Sequence, residues 1–192
     1  MSLASYQTAL PRAVMGSNVV VTSGCQSGKF WDAGNMPSVL LVCLGNICRS
    51  PMAEAVLRAQ VATRADAARW VIDSAGTGDW HVGHPPEPRT MTVLRERGQD
   101  TAHRGRQVRA ADFSDFEYIF VMDDENLKAI QGFRPVGGGK AMLARLGDWD
   151  PQGPAIVPDP YFSTGCAAFR EVHDQVTRCC VAWLEAQYPV TR

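Results

Sequence analysis

Short, uninterrupted apolar runs alternate along the chain with segments whose apolar residues recur at helical spacing. The first run, 38–43, reads Ser-Val-Leu-Leu-Val-Cys without a polar break after its first residue. A run of this kind is typical of a central strand that is buried on both faces of a parallel sheet. The same reasoning predicts further strands at 70–74, 116–121 and 141–146.

Helical spacing first appears directly after that strand. Ser50 is expected to cap a helix whose first residue is Pro51 and which continues to about Val61. The later helices are predicted at 88–97, where Gly98 ends the pattern, and at 124–130 and 163–187.

Strands that alternate with helices predict an α/β fold. We expect a three-layer, doubly wound sheet of about four mainly parallel strands, with helices on both faces and a phosphate-binding loop after the first strand. This domain is predicted to span residues 37–192. Residues 1–36 are expected to be an N-terminal extension, either disordered or the product of an over-long start.

Composition narrows the possible partners and compartment. The formal net charge is −1 and 20% of residues are charged, so we expect neither nucleic acid nor a membrane as a partner. The six cysteines are too few for a disulfide scaffold and lack the paired C-x-x-C spacing of a zinc site. We therefore expect free thiols in a reducing, cytoplasmic compartment. A monomer or a weak homo-oligomer is expected. The four histidines are expected to make loop or surface hydrogen bonds, without metal.

The loop after the first strand carries the chemistry. Cys43 ends the strand, and ligands of open parallel sheets bind at that end. Inward-pointing backbone N–H groups and the following helix N-terminus favour an anion, phosphate above all. The same field stabilises a thiolate at Cys43, while Arg49 can return over the anion and donate a planar fork to two of its oxygens.

Two polar residues of the same segment are expected to support the nucleophile. Ser50 can donate a hydroxyl hydrogen bond to the Cys43 sulfur, and Asn46 tolerates the left-handed backbone that a tight loop needs. The residues predicted to bind substrate are Leu44, Gly45, Asn46, Ile47, Cys48, Ser50, Trp80 and Tyr161.

The segment V-C-L-G-N-I-C-R-S-P at 42–51 resembles the active-site signature of the low-molecular-weight protein tyrosine phosphatases. D-P-Y at 159–161 is similar to that family's general-acid loop. Three further segments, at 79–89, 103–107 and 121–126, also resemble the family, so the resemblance covers about 38–188.

The resemblance implies a protein tyrosine phosphatase that works through a phosphocysteine on Cys43, with Arg49 holding the phosphoryl oxygens. Asp159 is implied as the general acid that protonates the leaving oxygen. No cofactor and no metal are expected. Proteins containing phosphotyrosine are the implied substrates, and inorganic phosphate or vanadate the implied inhibitors.

Trp80 and Tyr161 are expected to wall a cleft for a phenyl ring, although Trp80 could equally anchor its loop in the core. Cys48 lies near enough to Cys43 in a curled loop to form a reversible disulfide when the nucleophile is oxidised; otherwise it is a second buried thiol.

Several alternative functions stay open on the same fold. Arsenate reduction would need resolving thiols after the third strand, where the chain has Met122, Asp123 and Asp124. Phosphoarginine hydrolysis is favoured in relatives that carry threonine where this loop has Ile47, so isoleucine favours tyrosine. A catalytically silent phosphate-binding module is the remaining alternative.

Overall fold

The computed structural model describes residues 36–189. The expected N-terminal extension therefore lies outside the described residues, apart from Met36. Within the described part, no helix combines the length and apolarity that crossing a membrane requires.

Four strands form one sheet in which every neighbouring pair is parallel and the order is β2-β1-β3-β4. The two central strands are buried along their whole length, which the apolar run 38–43 predicted for β1. The strands are β1 Ser38–Cys43, β2 Val71–Gly76, β3 Tyr118–Val121 and β4 Met142–Arg145.

In the part of the chain that the structure describes, five helices connect and cover the strands. The predicted helices are present, but α5 begins four residues later than expected, and the single turn α3 was not predicted. The helices are α1 Arg49–Ala62, α2 Pro88–Glu96, α3 Asp112–Asp115, α4 Asp124–Ile130 and α5 Ala167–Gln187. Short 3-10 turns lie at Ala67–Arg69, Gln131–Phe133 and Leu146–Trp149.

The alternating side chains of β1 divide the core into two layers. Val39 and Leu41 pack on the side that holds α1, α2 and α5, whereas Leu40 and Val42 pack on the side of α3 and α4. Helices therefore cover both faces, and the predicted three-layer α/β fold is confirmed.

The register brings the carboxyl ends of the strands to one edge. Cys43 pairs with Gly76, and Val42 pairs with both Ala75 and Val121. The loops that follow β1, β2 and β3 consequently leave the sheet side by side, at the edge where such folds bind ligands.

Candidate active site

Cys43 lies at the base of a tight loop between β1 and α1 and is 3% exposed. The backbone N–H of Asn46 points at its sulfur, with the nitrogen 3.2 Å from Sγ. The Ser50 hydroxyl oxygen lies 3.0 Å from Sγ. The sulfur thus faces two polar groups able to stabilise a thiolate, as expected from the sequence.

The expected capping role of Ser50 is wrong. Helix α1 begins at Arg49, its N-cap position is Cys48, and no side chain caps it. Ser50 is instead a buried residue of the first turn, and its hydroxyl is used on the loop that precedes the helix. The Ser50 hydroxyl, which local sequence rules assign to the helix end, instead anchors the loop that carries Cys43.

Asn46 holds the loop in its curled shape. Its φ of 56° lies in the left-handed region that asparagine tolerates. Its side-chain Nδ2 donates to the hydroxyls of Ser50 and Ser74, both at 2.9 Å, and its Oδ1 accepts from the backbone of Arg106 at 2.9 Å. Because Ser50 Oγ accepts from Asn46, its own proton can point at the Cys43 sulfur at 3.0 Å or at the carbonyl oxygen of Ala75 at 3.4 Å, and the sulfur is the nearer of the two.

A buried pair of ionisable side chains, Glu54 and His103, supports Asn46. Glu54 Oε2 accepts from Ser74 Oγ at 2.7 Å and lies 3.2 Å from Nδ1 of His103. The other ring nitrogen of His103 is 3.1 Å from Asn46 Oδ1. Sequence reasoning missed this link, since His103 was expected only to make loop or surface hydrogen bonds and no role was predicted for Glu54.

The charge of Glu54 is stabilised in this position. Burial by itself raises the pKa of the Glu54 carboxyl, but hydrogen bonds from His103, Ser74 and Arg58 outweigh it and hold the pKa below its usual value. A carboxyl with a lowered pKa in the folded state contributes stability above its unfolded pKa. That contribution is lost as pH falls through the folded value.

We expect Glu54→Gln to lower the free energy of unfolding by about 3 kcal/mol at neutral pH, because it removes the charged partner of buried His103. The difference from the wild type should shrink below the ordinary Glu pKa of 4.5, where the wild type also loses the interaction. Urea midpoints at about pH 7 and about pH 4 measure this. The control is Glu185→Gln on the exposed side of α5, and a difference that is constant with pH would contradict the account.

Arg49 is 2% exposed and has a carboxylate on each side. Nη1 donates to Asp123 Oδ2 and to the carbonyl of Val157 at 3.2 Å, and Nη2 donates to Asp159 Oδ2 at 2.7 Å. Burial by itself lowers the pKa of the Arg49 guanidinium. The charges of Cys43, Asp159 and Asp123 outweigh burial and raise this pKa above its ordinary value. The guanidinium is therefore a fixed cation beside the sulfur.

Asp159 lies on an irregular loop that precedes α5 and reaches the mouth of the same site. One of its oxygens accepts from Arg49, and the other accepts from the backbone N–H of Tyr161 at 3.1 Å. Its side chain is 37% exposed. Asp159 therefore lies between the buried guanidinium and the solvent-facing opening.

These groups open into one cleft of about 150 Å³. Its residues come from the loop after β1, the loop after β2 and the loop before α5: Cys43, Leu44, Gly45, Ile47, Cys48, Arg49, Trp80, His81, Asp159, Tyr161 and Phe162. Two residues predicted to bind substrate, Asn46 and Ser50, are buried beneath the cleft rather than lining it. His81 and Phe162 line it and were not predicted.

Two aromatic side chains stand at the opening. Trp80 is 66% exposed and Tyr161 is 41% exposed, so the alternative that Trp80 is a core anchor is wrong. The Trp80 ring packs directly on Gly78, where a Cβ would come within 1.8 Å of it. A side chain at position 78 would consequently displace the ring from the cleft.

Cys48 lines the cleft but differs chemically from Cys43. Burial, followed by the nearby charges of Cys43, Asp159 and Glu87, raises the pKa of its thiol to about 12. Cys48 is consequently a neutral thiol at physiological pH. Within residues 36–189, no group of three or more His, Cys, Asp or Glu side chains is arranged to hold a metal ion.

Comparison with known proteins extends these observations. The family model described as "Low molecular weight phosphotyrosine protein phosphatase" matches residues 38–188. Proteins of that name from Sus scrofa and Schizosaccharomyces pombe are both 46% identical, over 149 and 140 residues; the matches cover 77% and 72% of this chain and 94% and 88% of the relatives. The crystal structure of DARP, drosophila arginine phosphatase, is 36% identical with a TM-score of 0.73, covering 78% of this chain and 97% of that one.

Proposed function

This chain belongs to the low molecular weight phosphotyrosine protein phosphatase family and is a protein tyrosine phosphatase, and we propose that Cys43, Arg49 and Asp159 carry its reaction. The observation that supports this assignment is their convergence. A buried sulfur, a buried guanidinium and a half-exposed carboxyl meet in one cleft although they come from distant parts of the chain.

The first step is an in-line displacement at phosphorus. The Cys43 thiolate attacks, a sulfur–phosphorus bond forms, and the bond from phosphorus to the phenolic oxygen breaks. Asp159, which accepts from Arg49 in this structure, carries a proton in the substrate complex and gives it to the departing oxygen, so tyrosine leaves neutral. Arg49 and the loop N–H groups hold the phosphoryl oxygens, whose charge is thereby stabilised in the transition state.

The second step reverses the role of the carboxyl. Asp159, now ionised, takes a proton from a water molecule, whose oxygen attacks phosphorus. The sulfur–phosphorus bond breaks, inorganic phosphate is released and the thiolate is restored. Inorganic phosphate and vanadate are proposed as competitive inhibitors, because each is a tetrahedral oxyanion suited to the same loop.

Phosphotyrosine-containing proteins are the substrate class of this family. Cys43 lies at the base of the cleft. This position suits an ester whose phosphate is carried at the far end of a phenyl ring. Trp80 and Tyr161 flank the opening and offer aromatic faces to that ring. A phosphoserine side chain is shorter and supplies no ring for these contacts.

We expect Asp159→Asn to lower kcat/KM for a phosphotyrosine peptide by about 100-fold, because the leaving phenolate is no longer protonated. The loss should be smaller for an aryl phosphate with an acidic phenol, which leaves without help. Steady-state assays over a series of substituted phenyl phosphates measure this. An equal loss across the series, or no loss, would contradict the assignment of Asp159. Asp148→Asn, at a carboxyl paired with Arg145 outside the cleft, is the control.

Phosphoarginine hydrolysis is the second candidate, because one structural relative is named an arginine phosphatase. The cleft of this chain carries apolar Ile47, which favours an aromatic substrate over a guanidinium. For arsenate reduction, the residue after Met122 is Asp123, and it pairs with Arg49 rather than supplying a thiol. Parallel assays with phosphotyrosine peptide, phosphoarginine peptide and arsenate distinguish the three, and activity with phosphotyrosine also excludes a silent module.

Cys48 is proposed as the partner that protects the oxidised nucleophile. Peroxide converts the Cys43 thiolate to a sulfenic acid, and the neutral Cys48 thiol condenses with it to a disulfide and water. We expect wild-type activity lost to peroxide to return with dithiothreitol, whereas Cys48→Ser loses activity irreversibly. Cys166→Ser is the control, and equal recovery in Cys48→Ser would contradict the proposal.

A cytoplasmic location is proposed from the same chemistry. The five cysteines of the described region, including Cys43 and Cys48, are all free, and a thiolate nucleophile requires a reducing compartment. A monomer or weak homo-oligomer stays a prediction.

A further inference from the structure

The loop that carries Asp159 is held by an arginine from another element. Arg89, in the first turn of α2, donates from Nη1 to the carbonyl of Ser163 at 2.6 Å. Its Nη2 donates to the carbonyl of Tyr161 at 2.9 Å. Both acceptors lie within four residues of Asp159, on the side of the loop that leads into α5.

The Arg89 side chain is itself fixed in direction. Its Nε donates to Glu87 Oε1 at 2.7 Å, and its guanidinium carbon lies 4.5 Å from the ring centroid of Phe169 in α5. The other oxygen of Glu87 accepts from the backbone N–H groups of Arg89 and Thr90 and caps α2. The planar fork therefore has little freedom to swing away from the loop.

Glu87 also contacts the loop of the nucleophile. Its backbone N–H donates to the carbonyl of Ile47 at 2.9 Å, and Ile47 lies between Cys43 and Arg49. A continuous series of hydrogen bonds thus runs from the phosphate-binding loop through Glu87 and Arg89 to the loop of Asp159. We name Glu87 and Arg89 together the loop bridge.

We propose that the loop bridge is a positioning device that sets the general acid relative to the nucleophile. This inference rests on the proposed function, because Arg89 acts only by positioning Asp159, the proposed general acid. The loop of Asp159 is irregular, and a carboxyl that delivers a proton must lie within hydrogen-bond reach of the leaving oxygen. A displacement of 1 Å can cost on the order of 100-fold in rate.

The chemistry of the bridge suits an arginine. Two carbonyls two residues apart and one carboxylate are contacted at once by Nη1, Nη2 and Nε of the same planar group. A lysine at position 89 supplies one compact cation and reaches a subset of these acceptors. We therefore expect Arg89→Lys to retain part of the effect and Arg89→Met to lose it.

The test uses the dependence of kcat/KM on the leaving group. We expect Arg89→Met to reduce kcat/KM for phenyl phosphate about tenfold, and that for an aryl phosphate with an acidic phenol about twofold. Arg89→Lys should fall between Arg89→Met and wild type. Phosphate affinity should stay within about twofold, since the loop that holds Cys43 and Arg49 keeps its own hydrogen bonds.

Two further variants separate positioning from general loss of structure. Arg170→Met removes a guanidinium from a comparable two-bond pair, with Glu96 between α5 and α2, and should leave the leaving-group dependence unchanged. In an Asp159→Asn background, Arg89→Met should add little further loss, because the positioned carboxyl is already absent.

Each outcome has a defined meaning. A uniform loss across the substrate series, or the same loss with and without Asp159→Asn, would overturn the loop bridge. If Asp159→Asn steepens the leaving-group dependence and Arg89→Met does not, the bridge fails while the proposed function stands. If Asp159→Asn itself leaves the dependence unchanged, the assignment of Asp159 fails instead.

Discussion

Replacing Cys43 by serine should reduce turnover of phosphotyrosine peptides on the order of 10⁵-fold, to the limit of detection. The sulfur is placed to be a thiolate by the Asn46 N–H and the Ser50 hydroxyl. A serine hydroxyl at the same position stays protonated at neutral pH, and the described contacts of Cys43 include no base that could activate it. Stopped-flow assays with a phosphotyrosine peptide measure the loss.

Phosphate binding by the Cys43→Ser variant shows whether only the nucleophile is lost or the whole site is disrupted. The Cys43→Ser variant should still bind inorganic phosphate with similar affinity, since Arg49 and the loop are unchanged, and calorimetry reports this. Cys166→Ser, a matched change outside the cleft, should keep wild-type activity. More than about one hundredth of wild-type turnover in a homogeneous Cys43→Ser sample would contradict the proposed mechanism.

Arg49→Lys should lower kcat/KM by about 1,000-fold. The guanidinium donates to Asp123 with one nitrogen and to Asp159 with the other, and Arg49 lines the cleft that we propose for the phosphoryl group. A lysine keeps the charge but cannot contact both carboxylates and two phosphoryl oxygens with one ammonium. The loss should appear in kcat as well as in phosphate affinity, because the contacts strengthen as charge develops on the oxygens.

The control for this change is Arg64→Lys, at an arginine that pairs with Asp66 beyond the end of α1. It should leave kcat/KM unchanged. Thermal unfolding of both variants is needed, because Arg49 neutralises the largely buried Asp123 and its loss destabilises the fold. An Arg49→Lys enzyme that is folded and within tenfold of wild type would show that a point charge suffices.

The local sequence pattern predicted the structure best where the conformation depends on neighbouring residues. The strand Ser38–Cys43 appeared with its predicted limits because the five consecutive apolar residues after Ser38 have few alternatives to a buried strand. The second strand extends to Gly76, two residues beyond its prediction. Pairing of Ala75 and Gly76 with the end of β1 decided that limit, and small residues give no apolar signal.

The same contrast holds within the site. The spacing of Cys43 and Arg49 in one loop, with Asn46 in the left-handed region, follows from a segment of seven residues. The buried support of that loop does not, since Ser74 and His103 contact Asn46 from different elements and Glu54, from a third, contacts both of them. Local pattern does not distinguish Glu54 and Ser74 from ordinary helix and strand residues, and for His103 the signal is the family resemblance of 103–107.

The sequence by itself determined the fold class and the loop that carries Cys43 and Arg49, because these depend on residue type and on contacts between near neighbours; Asp159 was identified only through the family resemblance. Only the tertiary structure decided which oxygens Arg49 contacts, how deep Ser50 lies, and that Glu87 and Arg89 join the two loops. The physical reason is distance along the chain. Hydrogen bonds between residues far apart in sequence depend on how the layers pack, and no local propensity records that packing.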